Sequence, residues 1–414
     1  MTDDLSAQLR PATVEEWPAL VRALDDAFGE LPSGPFRETP SPLAELDRSL
    51  VLPDGDRMAA TGGIYSLQLT VPGAVVPCAG VTWITVASTH RRRGVLTSIM
   101  RRQLTEVHER QHEPVAALWA AEYPIYGRFG YAPASFRAGF TGTTQRMRLR
   151  ADVDPGSGRV NEVSSDAYRA AAPAVHEAAR VHVPGNLARD DRWWDRVLRD
   201  DPEQRHGWTA RRYLLHTEAD GTVTGYACFR IKSSWTDESE PENKLAVPEI
   251  RATTPAAYAA LWRFLLSIDL VRTVQAPMAS ADDPLRHLLT DGRALKSTPV
   301  DALWVRLVDV DRALAARRYP APIDLVLEVR DEFCPWNAGR WRLTGHPAGA
   351  HCARTDRDPD LVLGIEELGA AYLGGTALGT LHAAGRVREV SPGAVTLAST
   401  AFGWPVPPWC PDEF

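Results

Sequence analysis

The sequence has few cysteines and no long apolar run. Its five cysteines, spread over 414 residues, form no CxxC pair and have no matched histidine spacing. They therefore predict no zinc or other metal site and indicate a reducing compartment. No uninterrupted apolar stretch could span a bilayer, and the first ten residues are acidic and polar where a secretory signal is basic and then apolar. These absences predict a cytoplasmic protein that does not enter a membrane.

Basic residues are also in deficit. Lys and Arg total 46 against 53 Asp and Glu, which gives a formal net charge of −7. Phosphate backbones are normally bound by a basic face, so nucleic acid is not expected as a partner. An acidic protein suits a cationic small substrate, because a cleft of one sign concentrates ions of the other. Solubility alone would account for the same charge.

Several common motifs are missing as well. No GxGxxG follows a strand and no GxxxxGK[ST] occurs, so a dinucleotide site or a P-loop has no support. There is no GxSxG and no Cys–His arrangement typical of a covalent nucleophile. A transfer reaction, if there is one, is expected to proceed by direct attack on the donor.

Periodic patterns divide the chain into three regions, since 414 residues exceed the size of one hydrophobic core. Residues 1–150 predict a helix over 13–29, meandering strands, a strand that runs into a helix over 94–111, and further short elements. After the linker ADVDPGSGR, residues 151–294 follow a similar course. Residues 295–414 place strands before helices, which is typical of an α+β domain.

The most informative stretch is VTWITVASTHRRRGVLTSIM, residues 81–100, in which a strand pattern runs into three arginines, a glycine and an amphipathic helix. The first N–H groups of a helix have no partners within it and favour an anion, and glycine lets a ligand approach the backbone. The combination favours a pyrophosphate site, and a solvated basic loop is the alternative. The second region has no such turn.

Two motifs together resemble a known family. The stretch ITVASTHRRRGVL, with WAAEYPIYGRFGY downstream, resembles the coenzyme A signature of GCN5-related N-acetyltransferases, or GNATs. More narrowly, the whole chain resembles the mycobacterial enhanced intracellular survival (Eis) group of aminoglycoside acetyltransferases. This implies an α/β fold of tandem GNAT domains, the second one degenerate, followed by an α+β domain similar to sterol carrier proteins. It also implies acetyl-CoA as the cosubstrate, no metal, and a homohexamer built as a trimer of dimers.

The resemblance assigns cosubstrate contacts on both sides of the arginine-glycine turn. In that family the strand before the turn separates from its neighbour, and the acetyl and pantetheine groups enter the opening. Main-chain groups of Ile84, Thr85 and Val86 would bind the acetyl-pantetheine arm, and Ala121 and Glu122 would line the other side of this opening. The pyrophosphate would be cradled by the turn and the start of the helix, that is by Arg92, Arg93, Gly94, Val95, Leu96 and Thr97.

The resemblance also implies an acid and a base. Tyr126, in IYGRFGY, would be the general acid that donates a proton to the departing thiolate, although a lone tyrosine is more often a core residue. The α-carboxylate of Phe414 would be the general base, because an α-carboxyl is ionised at neutral pH. Chain ends usually fray, but the tail holds tryptophans and four prolines, a stiff apolar composition suited to docking.

Substrate-pocket positions of the family fall near Asp25, Asp26, Phe36 and Glu413. The chain reads SGPFRE around Phe36, where mycobacterial relatives place a tryptophan nearby. The resemblance implies amines of aminoglycoside-like polycations as acceptors, and the departure around Phe36 predicts a pocket that differs in shape from that of the mycobacterial relatives. Two alternatives stay open: a lysine N-acetyltransferase acting on protein or peptide, and a non-catalytic protein that binds acyl-CoA or lipid.

Overall fold

The computed structural model describes residues 7–29 and 38–414. The chain folds as two compact units, each assembled from separate parts of the sequence. The first unit contains the described residues up to Ser135, the segment Pro184–Leu187, and Asp301–Phe414; the second contains Phe136–Val183 and Ala188–Val300.

A seven-stranded sheet in the order β1-β2-β3-β4-β5-β16-β6 forms the base of the first unit. Strands β2, β3 and β4 form an antiparallel meander, β5 runs parallel to β4, and β16 pairs antiparallel with β5. The strands are β1 Arg10–Pro11, β2 Leu50–Asp54, β3 Arg57–Val71, β4 Ala74–Val86, β5 Val115–Trp119, β6 Ala132–Pro133 and β16 Leu303–Leu307.

Two amphipathic helices, α1 (Trp17–Phe28) and α2 (Val95–Arg110), cover opposite faces of this sheet. Successive side chains of a strand point to opposite faces, and the core follows that rule. Val51 packs with the buried side of α1, whereas Leu50 and Leu52 on either side of it pack with α2. A short helix, α3 (Tyr123–Tyr126), follows β5.

The second unit has its own seven-stranded sheet, in the order β14-β8-β13-β12-β11-β10-β9. Strands β12 and β13 are parallel and the other pairs are antiparallel. Trp262 fills the core on one face and Trp194 on the other. Its elements are β8 Phe140–Thr143, β9 Arg159–Val163, α4 Ser165–Arg180, α5 Asp191–Leu198, β10 Arg212–Thr217, β11 Val223–Lys232, β12 Asn243–Ala252, α6 Pro255–Leu266, β13 Val271–Ala276, α7 Leu285–Leu288 and β14 Lys296–Ser297, with the short strands β7 Phe136–Arg137 and β15 Val300–Asp301 near its limits.

The remainder of the first unit is an α+β region on a five-stranded sheet in the order β19-β18-β17-β20-β21. Arg317, fully buried, donates to Tyr372 O at 2.5 Å and to Phe402 O at 2.7 Å, and so caps the C-terminal ends of two helices. The elements are α8 Val310–Ala316, β17 Ile323–Arg330, β18 Gly339–His346, β19 Gly349–Arg354, β20 Leu361–Gly364, α9 Ile365–Ala371, α10 Leu378–Ala383, β21 Arg388–Glu389 and α11 Ala394–Phe402.

Candidate active site

The candidate site begins where β4 and β5 part. Gly80 and Ala117 form the last residue pair between these parallel strands in the described part of the chain. Beyond it, β4 carries a bulge at Trp83, which has a φ of 56°, and its register against β3 shifts there. Bulges bend a strand and raise its local twist, so the one at Trp83 widens the opening.

The three residues predicted to hold the pantetheine arm, Ile84, Thr85 and Val86, follow the bulge. Thr85 and Val86 pair with β3 along one edge of β4. The other edge of the strand therefore faces the opening. Thr61 Oγ1 donates to Trp83 O at 2.6 Å and lies 2.8 Å from Thr85 Oγ1, so the bulge is fixed from within β3.

An open helix N-terminus follows. Gly94, with a φ of 81°, precedes α2, and no side chain caps the helix. The N–H groups of Val95, Leu96 and Thr97 are therefore available to an anion. Arg91, Arg92 and Arg93 are all exposed, and none of the three forms an ion pair within residues 7–29 and 38–414. The turn thus combines unpaired cations with helix N–H groups, as the sequence predicts for a pyrophosphate site.

Tyr126 lies on the other side of the opening, in α3. It is buried and belongs to one apolar cluster with Val81 and Leu118, the first residues of each strand after the last pair. Burial raises the pKa of Tyr126 to about 12, with a smaller opposing effect of Arg128. The phenol is therefore protonated at neutral pH and can donate a hydrogen bond. Ala121 and Glu122, just before α3, are exposed.

The polypeptide tail is fastened to this region. Trp119 Nε1, at the end of β5, donates to Asp412 O at 2.8 Å. A Cβ on Gly80 would lie 3.1 Å from Cε2 of Phe414, so the last aromatic ring rests on β4 where the strands part. Asp412 is buried and Phe414 half-buried. Tyr126 thus lies beside the first residues of the opening, and the ring of Phe414 lies beside the last strand pair before it.

A short segment from the middle of the sequence also holds the tail. Within Pro184–Leu187, Asn186 Nδ2 donates to Trp409 O at 2.5 Å, and Trp409 N donates to Pro184 O at 2.8 Å. The segment is itself fixed to β3, because Thr70 N donates to Asn186 O at 2.8 Å. We call Pro184–Leu187 the tail clip.

The predicted pocket residues that the structure describes lie at or near the surface. Asp25 is half-buried and Asp26 exposed, both late in α1, and Glu413 is exposed in the tail. Phe36 lies outside the described residues. Gly80, Trp119 and the tail clip were not among the site residues predicted from the sequence. Of these, only Gly80 carried a signal, because a glycine inside a strand pattern suggests close approach of another group.

Neither a metal site nor a membrane-spanning helix is found in the part of the chain that the structure describes. Within residues 7–29 and 38–414, no group of three or more His, Cys, Asp or Glu side chains is arranged to hold a metal ion. In the same residues, no helix is both long and apolar enough to cross a membrane.

Comparison with known families defines the class of protein. The model of the acetyltransferase (GNAT) domain matches residues 8–134, a second model of an acetyltransferase (GNAT) domain matches residues 185–307, and the sterol carrier protein domain matches residues 310–411. The predicted fold class, tandem GNAT domains followed by a sterol-carrier-like domain, is confirmed. The chain is an N-acetyltransferase, and its GNAT domains support an acyl-CoA cosubstrate.

Similar proteins narrow the class to a family. An uncharacterized N-acetyltransferase of Streptomyces avermitilis is 43% identical over 99% of this chain and 100% of its own. N-acetyltransferase Eis of Mycobacterium tuberculosis is 34% identical over 99% of this chain and 100% of its own. The crystal structure of Eis1 from Mycobacterium abscessus superposes with a TM-score of 0.83 at 33% identity, covering 98% of this chain and 100% of that one. The chain belongs to the Eis family of GNAT acetyltransferases.

Proposed function

We propose that this protein transfers the acetyl group of acetyl-CoA to primary amines of aminoglycoside-like polycations. The observation that carries the proposal is the open N-terminus of α2 beside the exposed Arg92 and Arg93, which suits the diphosphate of coenzyme A. From there, the opening between β4 and β5 leads toward Tyr126 and Phe414. Membership of the Eis family supports the N-acetyltransferase reaction.

The base in this proposal is the α-carboxylate of Phe414. With an ordinary pKa of about 3.5, an α-carboxyl is ionised at neutral pH and can take a proton from a substrate ammonium, directly or through water. The neutral nitrogen then attacks the thioester carbonyl. Support comes from the anchoring of the tail by Trp119 and the tail clip, which lowers the entropy cost of holding a terminal group in place.

The acid in this proposal is Tyr126. As the C–S bond breaks, negative charge builds on sulfur, and the phenol hydrogen-bonds to it. A pKa of about 12 for Tyr126, against about 8.5 for a thiol, makes complete proton transfer uphill by about 5 kcal/mol. The hydrogen bond therefore stabilises the developing thiolate. A proton supplied by solvent then converts the thiolate into the thiol. Overall the nitrogen loses two protons, one balancing the thiol and one released.

Polycations are favoured as acceptors by the charge of the chain. The net charge is −7, and Asp26 and Glu413 are exposed carboxylates on the two segments predicted to border the acceptor pocket. Aminoglycosides carry several ammonium groups, so an acidic cleft would raise their local concentration. The homohexamer that the family resemblance implies is part of the same proposal, and light scattering of the purified protein will measure it.

The test measures thiol release from acetyl-CoA with kanamycin, with a lysine peptide and without an amine. We expect release that depends on kanamycin. Adding Gly-Ser after Phe414 moves the carboxylate and should lower kcat about 100-fold while the acetyl-CoA Kd stays within about twofold. The matched control inserts Gly-Ser after Gly385, an exposed position. An extended protein as active as the parent would exclude the terminal carboxylate, and release only with the peptide would exclude aminoglycoside-like acceptors.

A further inference from the structure

The ring of Phe414 occupies a position that its proposed role as a base does not require. A carboxylate belongs to the backbone, and any last residue would carry one. The Phe414 side chain nevertheless lies against Gly80, where a Cβ would collide with Leu67 and come within 3.1 Å of the ring. Gly80 is also the last residue of β4 to pair with β5. The ring therefore lies over β4 at the level of the last strand pair, where the opening begins, on the sheet face opposite to the one that carries Val81.

The proposed path of the cosubstrate ends at this ring. Its diphosphate would lie beyond Val86, at the start of α2, so the pantetheine arm would run back along β4 toward Val81. The six steps of strand from Val86 to Gly80 span about 20 Å at roughly 3.3 Å per step. The acyl group is the far end of the arm, and it would therefore come closest to Gly80.

Tyr126 fixes the position of the sulfur along this path. It shares an apolar cluster with Val81 and Leu118, the first residues beyond the last strand pair. A thioester sulfur that accepts a hydrogen bond from Tyr126 would lie level with those residues. The acyl carbons beyond the sulfur would then meet Gly80 and the ring of Phe414.

We propose that the ring of Phe414 limits the length of the acyl chain that the enzyme accepts, an inference that rests on the proposed function. The ring, with Leu67 beside it, forms an apolar end wall that leaves room for a short acyl group. A longer chain has to displace the ring. Phe414 thus combines two separable roles: its α-carboxylate serves proton transfer, and its side chain selects the acyl donor.

The test compares the parent protein with Phe414→Ala and Phe414→Leu, both of which keep the terminal carboxylate. Calorimetry measures the binding of unreactive S-ethyl-, S-butyl- and S-hexyl-CoA thioethers, and thiol release is measured with acetyl-, butyryl- and hexanoyl-CoA. Val406→Ala is the matched control, because Val406 is an exposed tail residue, 39% accessible, away from Gly80. Thermal melting checks that each variant is folded.

We divide the affinity for S-hexyl-CoA by the affinity for S-ethyl-CoA in each protein. We expect this ratio to be about tenfold higher in Phe414→Ala than in the parent, because the transfer of two methylene groups from water into an apolar site contributes about that factor. The ratio for Phe414→Leu should lie between those of the parent and Phe414→Ala, and the ratio for Val406→Ala should match that of the parent. Thiol release should follow the same order.

Three outcomes would contradict the inference. Parallel chain-length series for parent and Phe414→Ala would show that the ring does not meet the acyl chain. A changed amine KM with an unchanged series would assign the ring to the acceptor pocket. No thioether binding by the parent would overturn both this inference and the proposed function. By contrast, thioether selectivity that shifts as expected, without amine-dependent thiol release, would support the ring's role and contradict only the acceptor.

Discussion

The two acetyltransferase-type sheets share the same strand irregularity and differ in the connection that leads from the bulged strand to its helix. In β4, three steps from Thr82 to Thr85 oppose two steps of β3, and in β12 three steps from Ala246 to Glu249 oppose two steps of β11. Each bulge comes at or soon after the end of the parallel pairing with the next strand. The scaffold that opens a sheet for a cosubstrate is therefore present in both units.

The two units differ in the length of that connection and in the capping of the helix that follows it. Eight residues, 87–94, join β4 to α2, whereas only Thr253 and Thr254 join β12 to α6. Thr254 Oγ1 accepts from Ala257 N at 3.1 Å, and Pro255 has no N–H group. The N-terminus of α6 is thus already capped, while that of α2 is open. A bulged sheet does not make a diphosphate site unless the helix after it has an open N-terminus.

The second unit also fills the space beside its bulge with charge. Glu249, at the position corresponding to Thr85, lies 3.0 Å from Arg189 and accepts from Tyr226 OH at 2.8 Å. Burial by itself raises the pKa of Glu249, but Arg189 and Arg251 outweigh it and hold that pKa at about 2. The bulge of the second unit is thus bordered by a buried ion-pair network, whereas the side chain of Thr85 in the first unit contacts the hydroxyl of Thr61.

The largest expected effect is that of substituting Tyr126, the proposed acid in the first unit. Tyr126→Phe should lower kcat about 100-fold, because the developing thiolate loses its hydrogen-bond donor. The acetyl-CoA Kd should stay within about twofold. Steady-state kinetics and calorimetry measure the two quantities.

The matched control is Tyr123→Phe, since Tyr123 lies in the same short helix but is 60% exposed. It should keep kcat within about twofold. The pH profile adds a second check: with a pKa of about 12, Tyr126 stays protonated, and kcat should not fall as the pH rises to 10. A Tyr126→Phe variant with nearly parental kcat would remove the acid from the mechanism.

Next in size is the effect of Glu249→Gln on stability. The variant removes the carboxylate that pairs with the buried side chains of Arg189 and Arg251, and should destabilise the second unit by about 3 kcal/mol at pH 7. Because folding lowers the pKa of Glu249, its stabilising contribution is full above about pH 4.5 and is lost as the pH falls toward 2. Thermal melting at pH 7, 5 and 4 should show a difference from the parent that shrinks with acid.

Acetyl-CoA binding by Glu249→Gln should equal that of the parent, which separates the roles of the two units. The control is Glu218→Gln, a carboxylate just after β10 of the same sheet that is 31% exposed. A weaker acetyl-CoA Kd in a folded Glu249→Gln protein would contradict this division of roles between the units.

A smaller effect is expected at the arginine-glycine turn. The double substitution Arg92→Ala, Arg93→Ala should raise the acetyl-CoA Kd about tenfold, because the helix N–H groups remain but two cations are lost. Added salt should weaken parental binding more than that of the variant. Arg110→Ala, an exposed arginine at the opposite end of α2, is the control. If the parent and the double variant had equal Kd values and equal salt dependence, the turn would be a solvated basic loop and not a diphosphate site.

The sequence predicted the parts of the site that are contiguous. Strand, arginine-glycine turn and helix lie within one stretch of 20 residues, so their periodicity and order were readable, and the fold class followed from the family resemblance. The predicted domain boundaries at 150 and 294 rest on the composition of the linker ADVDPGSGR and on changes in the local periodic pattern. In the structure the chain leaves the first unit after Ser135, returns to it for Pro184–Leu187 and returns again at Asp301, because β8 pairs with β13 and β16 pairs with β5.

Pairing across long separations could not be predicted from the sequence. Trp119 and Asp412 are 293 positions apart, and Asn186 and Trp409 are 223 apart. Their hydrogen bonds depend on which surfaces meet after folding, and no local period records that. The tail clip is the clearest case, because its four residues lie between stretches of the second unit yet belong to the first.

The smallest effect is expected from a substitution in the tail clip. Asn186 is fully buried, and Asn186→Ala removes its 2.5 Å hydrogen bond to Trp409 O. The lost bond should cost about 1 kcal/mol of stability, and a looser tail should lower kcat about threefold with an unchanged acetyl-CoA Kd. Asn161→Ala, at an exposed position of β9, controls for loss of an amide. In the protein extended after Phe414, where the carboxylate is already displaced, Asn186→Ala should have no further effect on kcat. An equal loss in both backgrounds would mean that the clip acts through something other than the tail.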